Sequence, residues 1–92
     1  MIISIKHKGL KALYERGFAK GVQQDHVKKL RLILAALDVA ESPDDMSRPS
    51  FKLHPLKGEM AGHWSVWVNG NWRITWRFTG HDVELVDYQD YH

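Results

Sequence analysis

The sequence predicts an α+β fold, with two N-terminal helices packed on a small, mainly antiparallel sheet in the order β-α-α-β-β-β. Two patterns carry this reading. Between Lys8 and Leu37 the apolar residues recur at helical spacing, whereas from Phe51 onward they recur at every second position. Helices that precede a run of hairpin-linked strands make a segregated α+β layer rather than a parallel βαβ array. The length of 92 residues fits one domain, 1–92, with a modest core.

Taken in order, Ile2, Ile3 and Ile5 form a short β-prone start and are expected to make a first strand. Lys8 to Arg16 reads as a short helix, with Leu10, Leu13 and Tyr14 on one face and Gly17 as its stop. Asp25 is a good N-cap for a second helix, in which Val27, Leu30, Ile33, Leu34 and Leu37 form one apolar stripe. Ser42-Pro43-Asp44-Asp45 and Arg48-Pro49-Ser50 interrupt the pattern and read as a loop containing a helical turn.

Strand alternation then begins. Phe51 and Leu53 alternate with Lys52 and His54 until Pro55, and Trp64, Val66 and Val68 alternate with Ser65 and Trp67. Trp72, Ile74, Trp76 and Phe78 alternate with Arg73, Thr75 and Arg77. A two-residue Asn69-Gly70 turn would put Val66 and Val68 on the face of Arg73 and Arg77. A three-residue loop, Asn69 to Asn71, pairs Val68 with Trp72, Val66 with Ile74 and Trp64 with Trp76, so every apolar residue points one way. The three-residue loop is therefore expected. The helices should cover the Trp64/Ile74/Trp76 face and leave a polar face carrying Lys52, His54, Trp67, Arg73 and Arg77. A last strand runs from about Asp82 to Tyr88, but its alternation is too irregular to assign faces.

Composition narrows the function. Cysteine is absent, which removes disulfides and thiolate metal sites. The longest apolar run, Leu32 to Leu37, is far short of a membrane span. The first residues lack the pattern of a secretory signal, so a cytoplasmic protein without membrane contact is expected. The net charge of +2 hides an asymmetry: residues 1–37 carry eight Lys/Arg against two acids, and residues 38–92 carry five against nine. A basic half suits an anionic partner such as nucleic acid, although a solvated helix surface gives the same pattern.

Three segments stand out: Leu53-His54-Pro55-Leu56-Lys57-Gly58, Asn69-Gly70-Asn71-Trp72-Arg73-Ile74 and Asp87-Tyr88-Gln89-Asp90-Tyr91-His92. Together they resemble the HigB toxins of the RelE/ParE superfamily, over essentially the whole chain. The resemblance implies a RelE-like fold, ribosome-dependent cleavage of mRNA, and inhibition by a HigA-type antitoxin. That antitoxin would carry the helix-turn-helix, so any contact with DNA would be made by the partner. The resemblance also implies functional roles for His54, Asp90, Tyr91 and His92, and Lys57 and Arg73 match the family's basic positions.

The chemistry of RNA cleavage calls for the same residue types. The 2′-hydroxyl must lose a proton, the leaving 5′-oxygen must gain one, and the phosphorane needs positive charge. Histidine serves either proton transfer near neutral pH, and Arg or Lys stabilises the charge. With the roles that the resemblance implies, the catalytic candidates are His54, Asp90, Tyr91, His92 and Arg73; His54 is the expected base and His92 the expected acid, although the sequence alone leaves open which histidine is which. Lys57, Lys52 and Trp67 are candidates for holding RNA; Arg73 faces Trp67 in the chosen register, where a guanidinium can stack on the indole. No cofactor or metal is expected, since His63, His81 and Asp87 lack a ligand spacing. A non-enzymatic ParE-like inhibitor of DNA gyrase is the alternative within the superfamily. A free-standing RNA-binding module is a third reading.

Overall fold

The computed structural model describes residues 1–90 and consists of two helices packed on one face of a four-stranded antiparallel sheet. Helix α1 spans Lys8–Arg16 and α2 spans Val27–Val39. The strands are β1 (His54–Pro55), β2 (His63–Asn69), β3 (Trp72–Thr79) and β4 (Asp82–Asp90), in the spatial order β1-β2-β3-β4. Among the described residues no helix is long and apolar enough to cross a membrane.

Helix α1 has the expected limits. His7 Nδ1 accepts the Leu10 amide at 3.1 Å as its N-cap, and Gly17 closes it at φ 68° with its amide on the Leu13 carbonyl. The chain then crosses its own start so closely that a Cβ on Gly9 would stand 2.2 Å from the Gly21 carbonyl oxygen. Only glycine permits that approach.

Asp25 does not cap α2. It lies within a 3₁₀ turn, Gln24–His26, that leads directly into the helix, and the buried His26 anchors this end instead. His26 Nδ1 is 2.6 Å from Tyr88 Oη on β4, and Trp72 packs against both rings. The stripe Leu30, Ile33, Leu34 and Leu37 is buried against Val66, Ile74, Trp76, Val83 and Val86 of the sheet. Tyr14 Oη donates to Asp38 Oδ1 at 2.6 Å, and the same oxygen accepts the Ile2 amide at 3.2 Å. This bond pushes the Tyr14 pKa up to about 12 and holds the Asp38 carboxyl below its ordinary value.

The central hairpin has the expected faces and a different turn. Trp64 pairs with Trp76, Val66 with Ile74 and Trp67 with Arg73, but Asn69, not Val68, stands opposite Trp72. The register shifts between Trp67 and Asn69, so a bulge absorbs one residue and the turn shortens to Gly70-Asn71. Gly70 at φ 55° meets the geometry of such a turn.

Strand β4 explains two further differences. Its register against β3 shifts between Thr75 and Arg77, and Leu85 takes a left-handed φ of 56°. This bulge flips the alternation, so Val83, Val86 and Tyr88 all reach the core, and simple periodicity fails there. The same irregularity interrupts the ladder offered to the N-terminus. Residues Ile2 and Ile5 therefore form two parallel bridges, to Val83 and Val86, rather than a continuous first strand. Phe51 likewise sits in a 3₁₀ turn, Pro49–Phe51, and Lys52 turns left-handed at φ 49°, so pairing begins only at His54.

Candidate active site

On the sheet face away from the helices, strand register aligns two rows of side chains. His54, Ser65, Thr75 and Asp87 stand opposite one another across all four strands, and Trp67, Arg73 and Gln89 form the next row. His54, Leu56, Ser65, Arg73 and Thr75 line a cavity of about 90 Å³ between these rows. The sequence placed His54 and Arg73 on one polar face, and the structure brings both to this cavity.

His54 is exposed, and its Nδ1 lies 3.5 Å from Ser65 Oγ. Arg73 is half-buried and donates to the Trp72 carbonyl at 3.4 Å. Among the described residues no carboxylate lies within ion-pair distance of Arg73, so its charge is available to an anion. Arg77 is on the same face but is committed: its guanidinium donates through Nε and Nη2 to Glu84 Oε2.

Ser65 and Thr75 were legible only as polar-face residues, yet each is 1% exposed. The Thr75 hydroxyl has no hydrogen-bond partner among the described residues, an uncommon state for a buried polar group and one that calls for an explanation. The signal available in the sequence was the pair of small hydroxyl residues at equivalent places in two adjoining strands. Asp87 closes the row, with Gln89 Nε2 on its Oδ2 at 2.9 Å and Lys6 Nζ at 4.0 Å.

The other candidates are placed as follows. Lys57 is exposed and precedes the 3₁₀ turn Gly58–Met60 between β1 and β2, outside the lining of the cavity. Asp90 pairs in register with Trp72, so alternation puts it on the helix side of the sheet rather than beside His54 and Arg73. Tyr91 and His92 lie outside the described residues. Trp67 is half-buried, its Nε1 donating to the Gly70 carbonyl at 2.9 Å. Its cationic neighbours are not Arg73 but Lys52, with Nζ 4.4 Å from the ring centroid, and Lys29 of α2, at 4.8 Å. In the sequence Lys29 stands out only as one of the basic residues of the N-terminal half, open to an anionic partner such as ribosomal RNA or to solvent. Among the described residues no group of three or more His, Asp or Glu side chains converges as a metal site.

An imidazole, a guanidinium with no carboxylate at ion-pair distance among the described residues and a buried hydroxyl around one small opening are parts suited to phosphoryl chemistry. Comparison with known proteins agrees. Residues 3–92 match the family described as RelE-like toxin of type II toxin-antitoxin system HigB. The chain is 46% identical, over the full length of both proteins, to Endoribonuclease HigB of Proteus vulgaris. Among solved structures, a mutant of YafQ from E. coli superposes with a TM-score of 0.65 at 18% identity, covering 98% of this chain and 91% of that one. The YoeB dimer from Staphylococcus aureus gives 0.61 at 17% identity, covering 99% and 94%.

Proposed function

Since the chain belongs to the HigB-like family of RelE-like toxins of type II toxin-antitoxin systems, we propose that it is an endoribonuclease that cuts messenger RNA in the ribosomal A site. As a toxin of such a system it has an antitoxin partner. We assign that partner to the HigA type, with a helix-turn-helix that supplies any DNA contact. The observation that carries the nuclease reading is the convergence of His54 and Arg73 on one cavity. A gyrase inhibitor needs no proton-transfer group there, and the full-length relative named as an endoribonuclease favours the nuclease over the ParE-like alternative.

In the reaction, His54 takes the proton of a 2′-hydroxyl, whose oxygen attacks the adjacent phosphorus. Arg73 stabilises the phosphorane. His92 gives a proton to the departing 5′-oxygen, leaving a 2′,3′-cyclic phosphate on one fragment and a 5′-hydroxyl on the other. Tyr91 places the substrate. Asp90, on the other side of the sheet, is a positioning residue for the tail, and Lys57, Lys52 and Trp67 hold RNA. The reaction as written uses no cofactor and no metal, because protein groups carry both proton transfers.

Dependence on the ribosome follows from size. A chain of 92 residues with one candidate catalytic face leaves little protein surface to bend a flexible strand into line. A ribosome that presents the codon supplies that alignment, and positioning contributes a large share of many rate enhancements. The test is to incubate the protein with translating ribosomes and map mRNA ends. Cuts within the A-site codon, absent on naked mRNA at the same concentration, support the reading. Rapid, site-selective cleavage of naked mRNA overturns its ribosomal part, and intact mRNA in both reactions overturns the nuclease.

A further inference from the structure

The polar face continues past the cavity to a second group of cations. The β1–β2 register ends at His54–Ser65, so Trp67 lies beyond β1 at the sheet edge, where the 3₁₀ turn Pro49–Phe51 packs against β2. Extending the β1 register would set Lys52 opposite Trp67, but the chain leaves the strand there. Lys52 adopts a left-handed φ of 49°, an unfavourable conformation for a residue with a Cβ, and its Nζ lies 4.4 Å from the Trp67 ring centroid. Lys29 reaches the same ring from α2 at 4.8 Å while donating to the Ser50 carbonyl at 2.9 Å. Arg48 lies over Phe51 at 5.3 Å close by. Among the described residues none of these three cations has a carboxylate within ion-pair distance.

Two ammonium groups gathered over one indole repel each other. The ring offsets part of that cost through its negative face, and the Trp67 Nε1 bond to Gly70 keeps the ring in place. Burial, and then the charge of Lys52, hold the Lys29 ammonium below the ordinary lysine value. An anion placed between the two lysines relieves the repulsion directly. The location selects the anion. Trp67 pairs with Arg73 and stands two residues from Ser65, the neighbour of His54. That is about 7 Å along an extended strand, the scale of one nucleotide step in stretched RNA.

We propose that Lys29 and Lys52, held over Trp67 at the edge of β2 beyond β1, bind a backbone phosphate of the messenger RNA adjacent to the linkage that is cut. The proposal rests on the nuclease reading and extends it to a residue, Lys29, that belongs to the helical layer.

The test combines Lys29→Gln and Lys52→Gln with mRNAs bearing one uncharged methylphosphonate linkage at successive positions around the cut, in single-turnover cleavage on the ribosome. Each variant should lower kcat/KM by about ten-fold, the scale of one hydrogen bond to a charged group. Neutralising one flanking linkage should lower it similarly, and combining it with either lysine variant should add little, because partners in one contact are not additive. If the losses multiply at every linkage, the lysines serve another anion, such as ribosomal RNA, and the proposal falls. If both lysine variants cleave like wild type while His54→Ala does not, the phosphate site falls and the nuclease stands. If wild type itself cleaves nothing, the nuclease reading falls. The site is then judged by whether a 5′-phosphate on a short single-stranded RNA tightens binding in a way that Lys29→Gln abolishes; no such difference overturns it. Thermal melts of both variants separate these effects from unfolding.

Discussion

Replacing Thr75 by Val should make the protein more stable. Thr75 is 1% exposed in the middle of β3, and its hydroxyl lacks a hydrogen-bond partner among the described residues. Leaving a buried hydroxyl unpaired costs about 1–3 kcal/mol relative to solvating it. Valine keeps the β-branched shape and strand preference while removing the polar atom. Taking the lower end of that range, because the residue borders a cavity, the gain is about 1 kcal/mol. For a domain of this size that raises Tm by roughly 4–8 °C. Ser65 is the control: it is equally buried, but its hydroxyl has His54 Nδ1 at 3.5 Å, so Ser65→Ala should bring no such gain. Thermal unfolding followed by circular dichroism measures both. Because this hydroxyl is buried and takes no part in the proposed reaction, cleavage on the ribosome should stay close to wild type in Thr75→Val. A valine variant that melts below wild type would show that the hydroxyl is satisfied in solution, and the reasoning would fail.

Other consequences follow from the same geometry. Gly9→Ala should cost about 3 kcal/mol, since the new methyl would meet backbone rather than a flexible side chain; chemical denaturation reads this, and a neutral result would refute the tight crossing at Gly21. The Tyr14–Asp38 bond makes stability depend on alkaline pH. The Tyr14 pKa is raised from 10.0 to about 12 by folding, so its contribution is complete below pH 10 and is lost as pH rises toward 12. The advantage of wild type over Tyr14→Phe, about 1 kcal/mol at pH 9 for a partly exposed bond, should shrink over that range; an advantage independent of pH would contradict the assignment. Removing His92 alone should cut single-turnover cleavage by about 10²–10⁴-fold if it is the acid, and wild-type rates from that variant would move the proton to Tyr91 or Lys57.

Local periodicity made some parts of this fold legible and not others. Helix α1 was readable because Leu10 and Leu13 recur at helical spacing and Gly17 ends the run. The pairings Trp64–Trp76, Val66–Ile74 and Trp67–Arg73 were readable because only one register buries every apolar residue. The bulges at Val68 and Leu85 were not, since an extra residue in one strand is fixed by the partner strand rather than by its own neighbours. Asp25 looked like a cap because its residue type favours that place, but a preceding 3₁₀ turn tied down by His26 and Tyr88 took over the role. In the site, His54 and Arg73 were legible as polar positions of two strands. The burial of Ser65 and Thr75 was hidden because alternation predicts which face a residue is on, not what covers it. Lys29 was hidden for a related reason: helical spacing marks it as outside the stripe, and only the tertiary fold brings its ammonium over Trp67.

The central claim is that His54 transfers a proton in cleavage of mRNA on the ribosome, and single-turnover cleavage by His54→Ala tests it most directly. His54 is exposed on a two-residue edge strand, so its removal should leave the fold and ribosome binding nearly intact. The account predicts cleavage slowed by about 10²–10⁴-fold with an unchanged melting curve and unchanged ribosome affinity. Cleavage at the wild-type rate by the folded, ribosome-bound variant would contradict it.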